Sequence, residues 1–226
     1  MEPPRLSFAE PVILAGGGVL TPEMLAAARR LAGPVIAADS AADALAGLGC
    51  RPDAVIGDLD SIADAAAWRR QGVPVHHLAE QDSTDFEKCL YSSTAPYYVA
   101  IGFTGRRVDH MLAVFHALLR YPEKTVLLLG EEEAMALAPP GQRLSLALEA
   151  GARVSVFPLL EVGCGPSTGL VWPLDGLTLA PGLQVGTSNR AAAARVEMVF
   201  DRPGALVMLE PRFLGALRAA LVPQAG

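Results

Sequence analysis

The sequence predicts an α/β domain built on a parallel sheet, followed by an all-β domain of the sandwich type. Two observations lead there. Through roughly the first 130 residues, short β-rich apolar runs alternate with helix-like segments, the pattern of a parallel sheet with helices on both faces. Beyond about Gly130 the runs become short, are punctuated by proline and glycine, and several alternate apolar with polar, as half-buried antiparallel strands do. A length of 226 residues, 51% of them apolar, is near the lower limit for two domains and supplies material for two cores. We place the domains at 1–133 and 134–226, with the boundary around Glu131-Glu132-Glu133 and Pro139-Pro140-Gly141.

The elements follow in order. Val12-Ile13-Leu14-Ala15 reads as a first strand running into Gly16-Gly17-Gly18. A helix comes next, with Thr21 as N-cap, Pro22 in its first turn and Gly33 at its end. Val35 to Ala38 is a second strand, followed by a helix from Ala41 to Leu48 that stops at Gly49. Ala54 to Gly57 is a third, with a helix through Ala65 to Trp68. Val73 to Leu78 is a fourth strand before a helix that begins near Thr84. Tyr97 to Ile101, a helix from Val108 to Tyr121, and Lys124 to Leu129 complete the α/β half. In the second half, Leu144–Leu148, Arg153–Phe157, Gln184-Val185, Arg195–Phe200 and Ala205–Leu209 read as strands, and Arg212 to Leu221 as a helical tail.

Composition excludes several classes. A formal charge of −6 argues against non-specific nucleic-acid binding, which draws its affinity from neutralised phosphates. No apolar run reaches the roughly 18 residues that a membrane span needs. The N-terminal Met1-Glu2-Pro3-Pro4-Arg5 lacks a signal peptide's basic patch and apolar core, so a cytoplasmic protein is expected. Cys50, Cys89 and Cys164 are odd in number and widely spaced, which fits neither a disulfide framework nor a C-x-x-C metal site.

The acidic residues are informative because they fall just past predicted strand ends. Asp39 follows the second strand, with Asp43 one helical turn on. Asp58 and Asp60 follow the third, Asp82 and Asp85 the fourth, and Asp109 the fifth. Ligands of such sheets bind beyond the carboxyl ends of the strands. Carboxylates gathered there repel one another unless a hard cation joins them, and Mg²⁺ takes one or two carboxylates together with waters and phosphate oxygens. Any single Asp of this set is equally a cap or turn residue; the whole set points to a metal–phosphate site. Arg106 and Arg107, after Gly102-Phe103-Thr104-Gly105, offer guanidinium groups for phosphate oxygens. Gly16-Gly17-Gly18 lets backbone amides approach a phosphate or makes a plain turn. His110 reads as structural, and His76-His77 carries no role.

These segments together resemble a known family. Ala38-Asp39-Ser40-Ala41-Ala42-Asp43, Pro52-Asp53 with Gly57-Asp58-Leu59-Asp60-Ser61, Asp82-Ser83-Thr84-Asp85-Phe86-Glu87-Lys88 and Gly105-Arg106-Arg107-Val108-Asp109-His110 are similar to the motifs of thiamine pyrophosphokinases. Ser167-Thr168-Gly169-Leu170-Val171-Trp172-Pro173-Leu174 and Gly186-Thr187-Ser188-Asn189 extend the likeness, which runs from about Val12 to Leu209. Two departures stand out: Ser40-Ala41 where the family has glycines, and Arg106 where it commonly has a second glycine.

The resemblance implies a homodimer with an N-terminal Mg-ATP domain and a C-terminal β-sandwich that contributes to thiamine binding. It implies Asp58, Asp60 and Asp82 as metal and phosphate-handling carboxylates, with Asp82 or Asp85 as candidate proton acceptor. Asp39, Thr84, Lys88, Arg107 and Asp109 would serve the nucleotide, and Trp172, Ser188 and Asn189 the thiamine. The implied reaction passes pyrophosphate from ATP to the thiamine hydroxyl. The alternatives are a pyrophosphokinase for a pterin-like alcohol, a magnesium-dependent phosphohydrolase, and a non-catalytic nucleotide or thiamine sensor.

Overall fold

A computed structural model describes residues 6–105 and 107–222. The expectation for Met1–Arg5 lies outside them. The chain divides into two compact units, Met1–Glu131 and Glu132–Gly226. Among the described residues no helix is long and apolar enough to cross a membrane.

The first unit runs β1 (Leu6–Ser7), β2 (Val12–Ala15), α1 (Pro22–Arg29), β3 (Val35–Ala38), α2 (Ala41–Gly47), β4 (Ala54–Gly57), α3 (Ala65–Arg70), β5 (Val75–His77), α4 (Asp85–Ser92), β6 (Ser93–Thr94), β7 (Tyr98–Ile101), α5 (Val108–Arg120) and β8 (Val126–Leu129). Its main sheet is parallel, in the order β8-β7-β2-β3-β4-β5. Every residue of β2, β3, β4, β7 and β8 is buried, as expected for strands covered by helices on both faces. Ile13, Leu14, Ile36, Ile56, Ile101 and Leu127 are fully buried, each such side chain contributing about 1.5–3 kcal/mol through lost water contact. The edge strand β5 is only half-buried, and shorter than the Val73–Leu78 run predicted. The two-residue parallel pair β1–β6 is too short to leave a periodic signal.

Helix starts follow their caps. The Thr21 hydroxyl accepts from Met24 N, with Pro22 in the first turn, and Asp64 accepts from Ala67 N at 2.8 Å. Thr84 and Glu87 form a reciprocal capping box at the start of α4. Helix α1 ends at Arg29, short of the predicted Gly33.

The second unit holds β9 (Ala134–Leu137), β10 (Arg143–Ala147), β11 (Arg153–Pro158), β12 (Val162–Gly163), β13 (Thr178–Leu179), β14 (Gly186–Arg190), β15 (Arg195–Val199), β16 (Ala205–Leu209), a 3₁₀ turn (Pro211–Phe213) and α6 (Leu214–Leu221). One antiparallel sheet has the order β14-β11-β16-β9, and β10 pairs separately with β15. In that pair Leu144 faces Met198 and Leu146 faces Val196, the buried half of an alternating pattern. Helix α6 packs against β9 and β10. Strand β9 lies in the stretch read as interdomain boundary, flanked by Glu131-Glu132-Glu133 and Pro139-Pro140. Gln184-Val185, expected in a strand, stays outside one: Gln184 makes only an isolated bridge to Ala180, and β14 starts at Gly186.

Candidate active site

The strand order of the first unit reverses between β2 and β7, and a crevice opens beyond their carboxyl ends. A cleft of ≈ 420 Å³ lies there, lined by the loops after β2, β3, β4 and β7 and by the starts of α4 and α5. The Gly16–Gly18 loop passes close against the loop after β7. A Cβ on Gly18 would sit 2.5 Å from the Gly102 carbonyl oxygen, and Gly18 N donates to that oxygen at 2.8 Å. The glycines are needed first for this approach of two backbones, whatever ligand they also meet.

Asp39 ends β3 with φ +46°, a left-handed conformation rare outside glycine, and is only 2% exposed. Gly57 makes room for it, since a Cβ there would lie 2.8 Å from the Asp39 Cβ. One carboxylate oxygen of Asp39 accepts from Ser61 N at 3.1 Å; the other is buried with no partner among the described residues. Burial, partly offset by the Ser61 amide, raises its pKa to about 6, and Asp85, Asp58 and Asp60 push the same way. Asp58 accepts from Gln81 Nε2 at 2.9 Å, and that bond chiefly holds its pKa below the usual carboxylate range. Asp60 is exposed and accepts from Ser61 Oγ at 2.7 Å. Carboxylate oxygens of Asp39, Asp58 and Asp60 lie within 4.8 Å of one another.

Lys88 on α4 is 2% exposed and lies against this group, its Nζ 3.7 Å from Asp58 and 3.5 Å from Asp85. Burial raises the Asp85 pKa, with Lys88 opposing. Thr84 lines the cleft but spends its hydroxyl on the α4 cap. Asp82 stands apart: it is exposed, outside the trio, and its backbone amide donates to Glu80 at 2.8 Å. The converging set is therefore Asp39 with Asp58 and Asp60, where the expectation had Asp82. Glu80 organises this loop, also accepting from Ser83 and Tyr91.

Arg107 lines the cleft, and its guanidinium forks onto Asp109 at 3.1 and 2.6 Å, both residues being exposed. That pairing lowers the Asp109 pKa. His110 also lines the cleft. Arg106 lies outside the described residues.

In the second unit Trp172 is 54% exposed, and Asn189, 5% exposed, is bound to its backbone. Asn189 Oδ1 accepts from Trp172 N and Arg190 N, and Nδ2 donates to Trp172 O at 2.6 Å. Its polar atoms are thus taken up in holding the Trp172 segment. Ser188 is exposed with φ +60°, its amide donating to Ser155 Oγ at 2.9 Å.

Sequence reasoning passed over Gln81, Glu80 and the Phe86–Phe103 contact, whose ring centroids lie 4.7 Å apart on the cleft wall. Gln81 next to Asp82 was the available signal, but its partner Asp58 is 23 residues away. The donor set suits a magnesium ion. Three carboxylates converge, all donors are hard oxygens, and a buried Asp39 oxygen lacks a partner among the described residues.

Residues 30–129 match the family model described as thiamin pyrophosphokinase, catalytic domain. Thiamine pyrophosphokinase 2 of Arabidopsis thaliana is 27% identical over 157 residues, covering 62% of this chain and 58% of its own. Thiamine pyrophosphokinase 1 of Oryza sativa subsp. japonica is 27% identical over 168 residues, covering 67% and 63%. The chain thus spans less than two thirds of the length of these curated relatives. Among solved structures, thiamin pyrophosphokinase from Geobacillus thermodenitrificans superposes with a TM-score of 0.71 at 25% identity, covering 88% of this chain and 96% of that one. Yeast thiamin pyrophosphokinase gives 0.77 at 16% identity, over 95% and 92%, a likeness of fold. The catalytic-domain match, the curated relatives and the solved structures together indicate the thiamine pyrophosphokinase family.

Proposed function

We propose that the chain transfers a pyrophosphoryl group from ATP to the hydroxyl of thiamine, giving thiamine diphosphate and AMP. The observation that carries this reading is the convergence of Asp39, Asp58 and Asp60 beside buried Lys88 at the crevice of the parallel sheet. Asp39, Asp58 and Asp60 would hold Mg²⁺, which when bound neutralises charge on phosphate oxygens. Asp82, between cleft-lining Gln81 and Ser83, is given no ligand position. In the reaction the thiamine oxygen bonds to the β-phosphorus of ATP, the bond from that phosphorus to the α,β-bridging oxygen breaks, and AMP leaves. We assign the hydroxyl proton to Asp85, whose burial makes it a better base than an ordinary carboxylate. Arg107 would leave Asp109 to fork onto the ATP phosphates.

The reading extends to the second unit as a thiamine-binding β-sandwich. Its support is the antiparallel pairing of its strands and the exposed indole of Trp172, a face for the thiazolium cation. Asn189 holds Trp172, and Ser188, exposed and next to Asn189 in the chain, would offer its hydroxyl. A homodimer is part of the proposal, consistent with exposed Val171, Trp172 and Leu183. So is a cytoplasmic location, consistent with three buried, unpaired cysteines. The test is AMP release from Mg-ATP with and without thiamine. AMP and thiamine diphosphate formed together, only with both substrates and Mg²⁺, is the expected result. No thiamine-dependent AMP overturns the proposal. Asp58→Asn is expected to lower turnover by about two orders of magnitude or more with the fold intact.

A further inference from the structure

We propose that Asp43 is a positioning residue that holds the 58–63 loop in the form that presents Asp58 and Asp60 to the cleft. The proposal rests on reading Asp39, Asp58 and Asp60 as a divalent-cation site. Asp43 itself is not among the residues lining the cleft.

The loop has little packing to hold it. Asp60, Ser61 and Ala63 are exposed, and Leu59 takes a left-handed φ of +64°. Its conformation therefore depends on hydrogen bonds from neighbouring elements. Two carboxylates, four residues apart at the start of α2, take two of its backbone amides, while Gln81 holds the Asp58 side chain. Asp39 takes the Ser61 amide at 3.1 Å, and Asp43 takes the Ala63 amide at 2.8 Å. The second oxygen of Asp43 accepts from the indole Nε1 of Trp68 at 3.2 Å, and Trp68 is buried on α3. Asp43 thus ties together α2, the far end of the loop and α3. The two tethers are not equivalent. Asp39 belongs to the carboxylate trio, one oxygen holding Ser61 and the other free for a cation, so it is tether and ligand at once. Asp43 stands outside the trio, and its bond to Ala63 persists whatever the trio does. It keeps Asp58 and Asp60 aimed at the cleft when a cation enters or leaves.

The test uses the full chain and Mn²⁺ alone as the probe, read by the electron paramagnetic resonance of free Mn²⁺. It is paired with amide hydrogen exchange of the metal-free protein over the 58–63 loop. Asp43→Ala is expected to weaken Mn²⁺ binding about tenfold and to speed exchange at Ser61 and Ala63, with a cooperative thermal transition retained. Asp43→Asn keeps a carbonyl acceptor for the Ala63 amide and is expected to recover most of the affinity. A folded Asp43→Ala protein with Mn²⁺ affinity within about twofold of the parent and unchanged exchange overturns the proposal. If Asp43→Ala does not fold, Trp68→Phe decides: it removes the indole donor, at the cost of a smaller buried ring, and about threefold weaker Mn²⁺ binding is expected, no change being the overturning result. Asp58→Asn separates the two readings. Loss of Mn²⁺ binding in that variant with no effect at Asp43 overturns the role of Asp43 alone. Absence of Mn²⁺ binding in the parent removes the cation site and the proposal with it.

Discussion

Replacing Lys88 by Met tests the charge balance of the cleft most directly. Met matches the lysine stem in length and leaves the buried volume nearly filled, so the change is chiefly one of charge. The ammonium lies 3.7 Å from Asp58 and 3.5 Å from Asp85. At an effective dielectric of about 20 each attraction is worth about 4–5 kcal/mol gross. Two effects reduce this. Water reaches the carboxylates, Asp58 being 16% and Asp85 38% exposed, and burying the ammonium itself costs several kcal/mol. A net loss of about 1–3 kcal/mol remains, measured by urea denaturation of the metal-free protein at pH 7. The second part of the prediction concerns cations. Lys88 and a divalent ion neutralise the same carboxylates, so removing the ammonium should strengthen the ion's hold. Added MgCl₂ is therefore expected to raise the thermal midpoint of Lys88→Met by more than that of the parent. Equal stability of the two proteins in chelator, with equal increments in MgCl₂, would refute the assignment of Lys88 as internal counter-ion.

Other expectations follow from single contacts. Asp39 keeps its proton to about pH 6 in the folded chain against an ordinary value of 3.8, so the stability it contributes at low pH is lost as pH rises through that window. At about 1.4 kcal/mol per pH unit the effect is bounded at about 3 kcal/mol. Asp39→Asn in chelator should flatten the stability profile between those limits, and an unchanged slope would contradict it. Asn189→Ala strands the Trp172 amide and carbonyl, and is expected to cost about 2–4 kcal/mol by denaturant titration; a loss under about 0.5 kcal/mol would show that the clamp is unimportant. Gly18→Ala forces a Cβ to 2.5 Å from the Gly102 oxygen and should destabilise by more than about 2 kcal/mol. Gly215→Ala meets nothing within 4 Å on an exposed turn of α6 and should stabilise by about 0.5–1 kcal/mol in the same assay.

Much of the first unit was legible because its signals are local. Fully buried strands read as unbroken apolar runs, and Thr21 and Thr84 mark helix starts through bonds that span three residues. The second unit was legible as strands but not as a sheet order. Strand β10 pairs with β15, 52 positions on at Ser145 and Glu197, and no periodicity announces that choice. β1 and β6 escaped because two residues cannot establish a period, and β9 because its short apolar run sits between the acidic and proline residues that read as a boundary.

The sequence by itself determined that carboxylates would stand at the carboxyl ends of successive parallel strands, since apolar runs place the strands and acidic residues follow them. Only the tertiary structure decided which of them meet. Asp39 joins Asp58 and Asp60 because it takes a left-handed turn into the space that Gly57 leaves open. Asp82, five residues past the end of β5, stays exposed in a loop tied to Glu80. The burial of Lys88 between Asp58 and Asp85 was likewise a tertiary outcome: three residues on one helix show the Asp85 contact, but the Asp58 contact exists only once β4 and α4 are packed together. Strand periodicity is a property of neighbours along the chain, whereas a charged site is made of residues brought together across it.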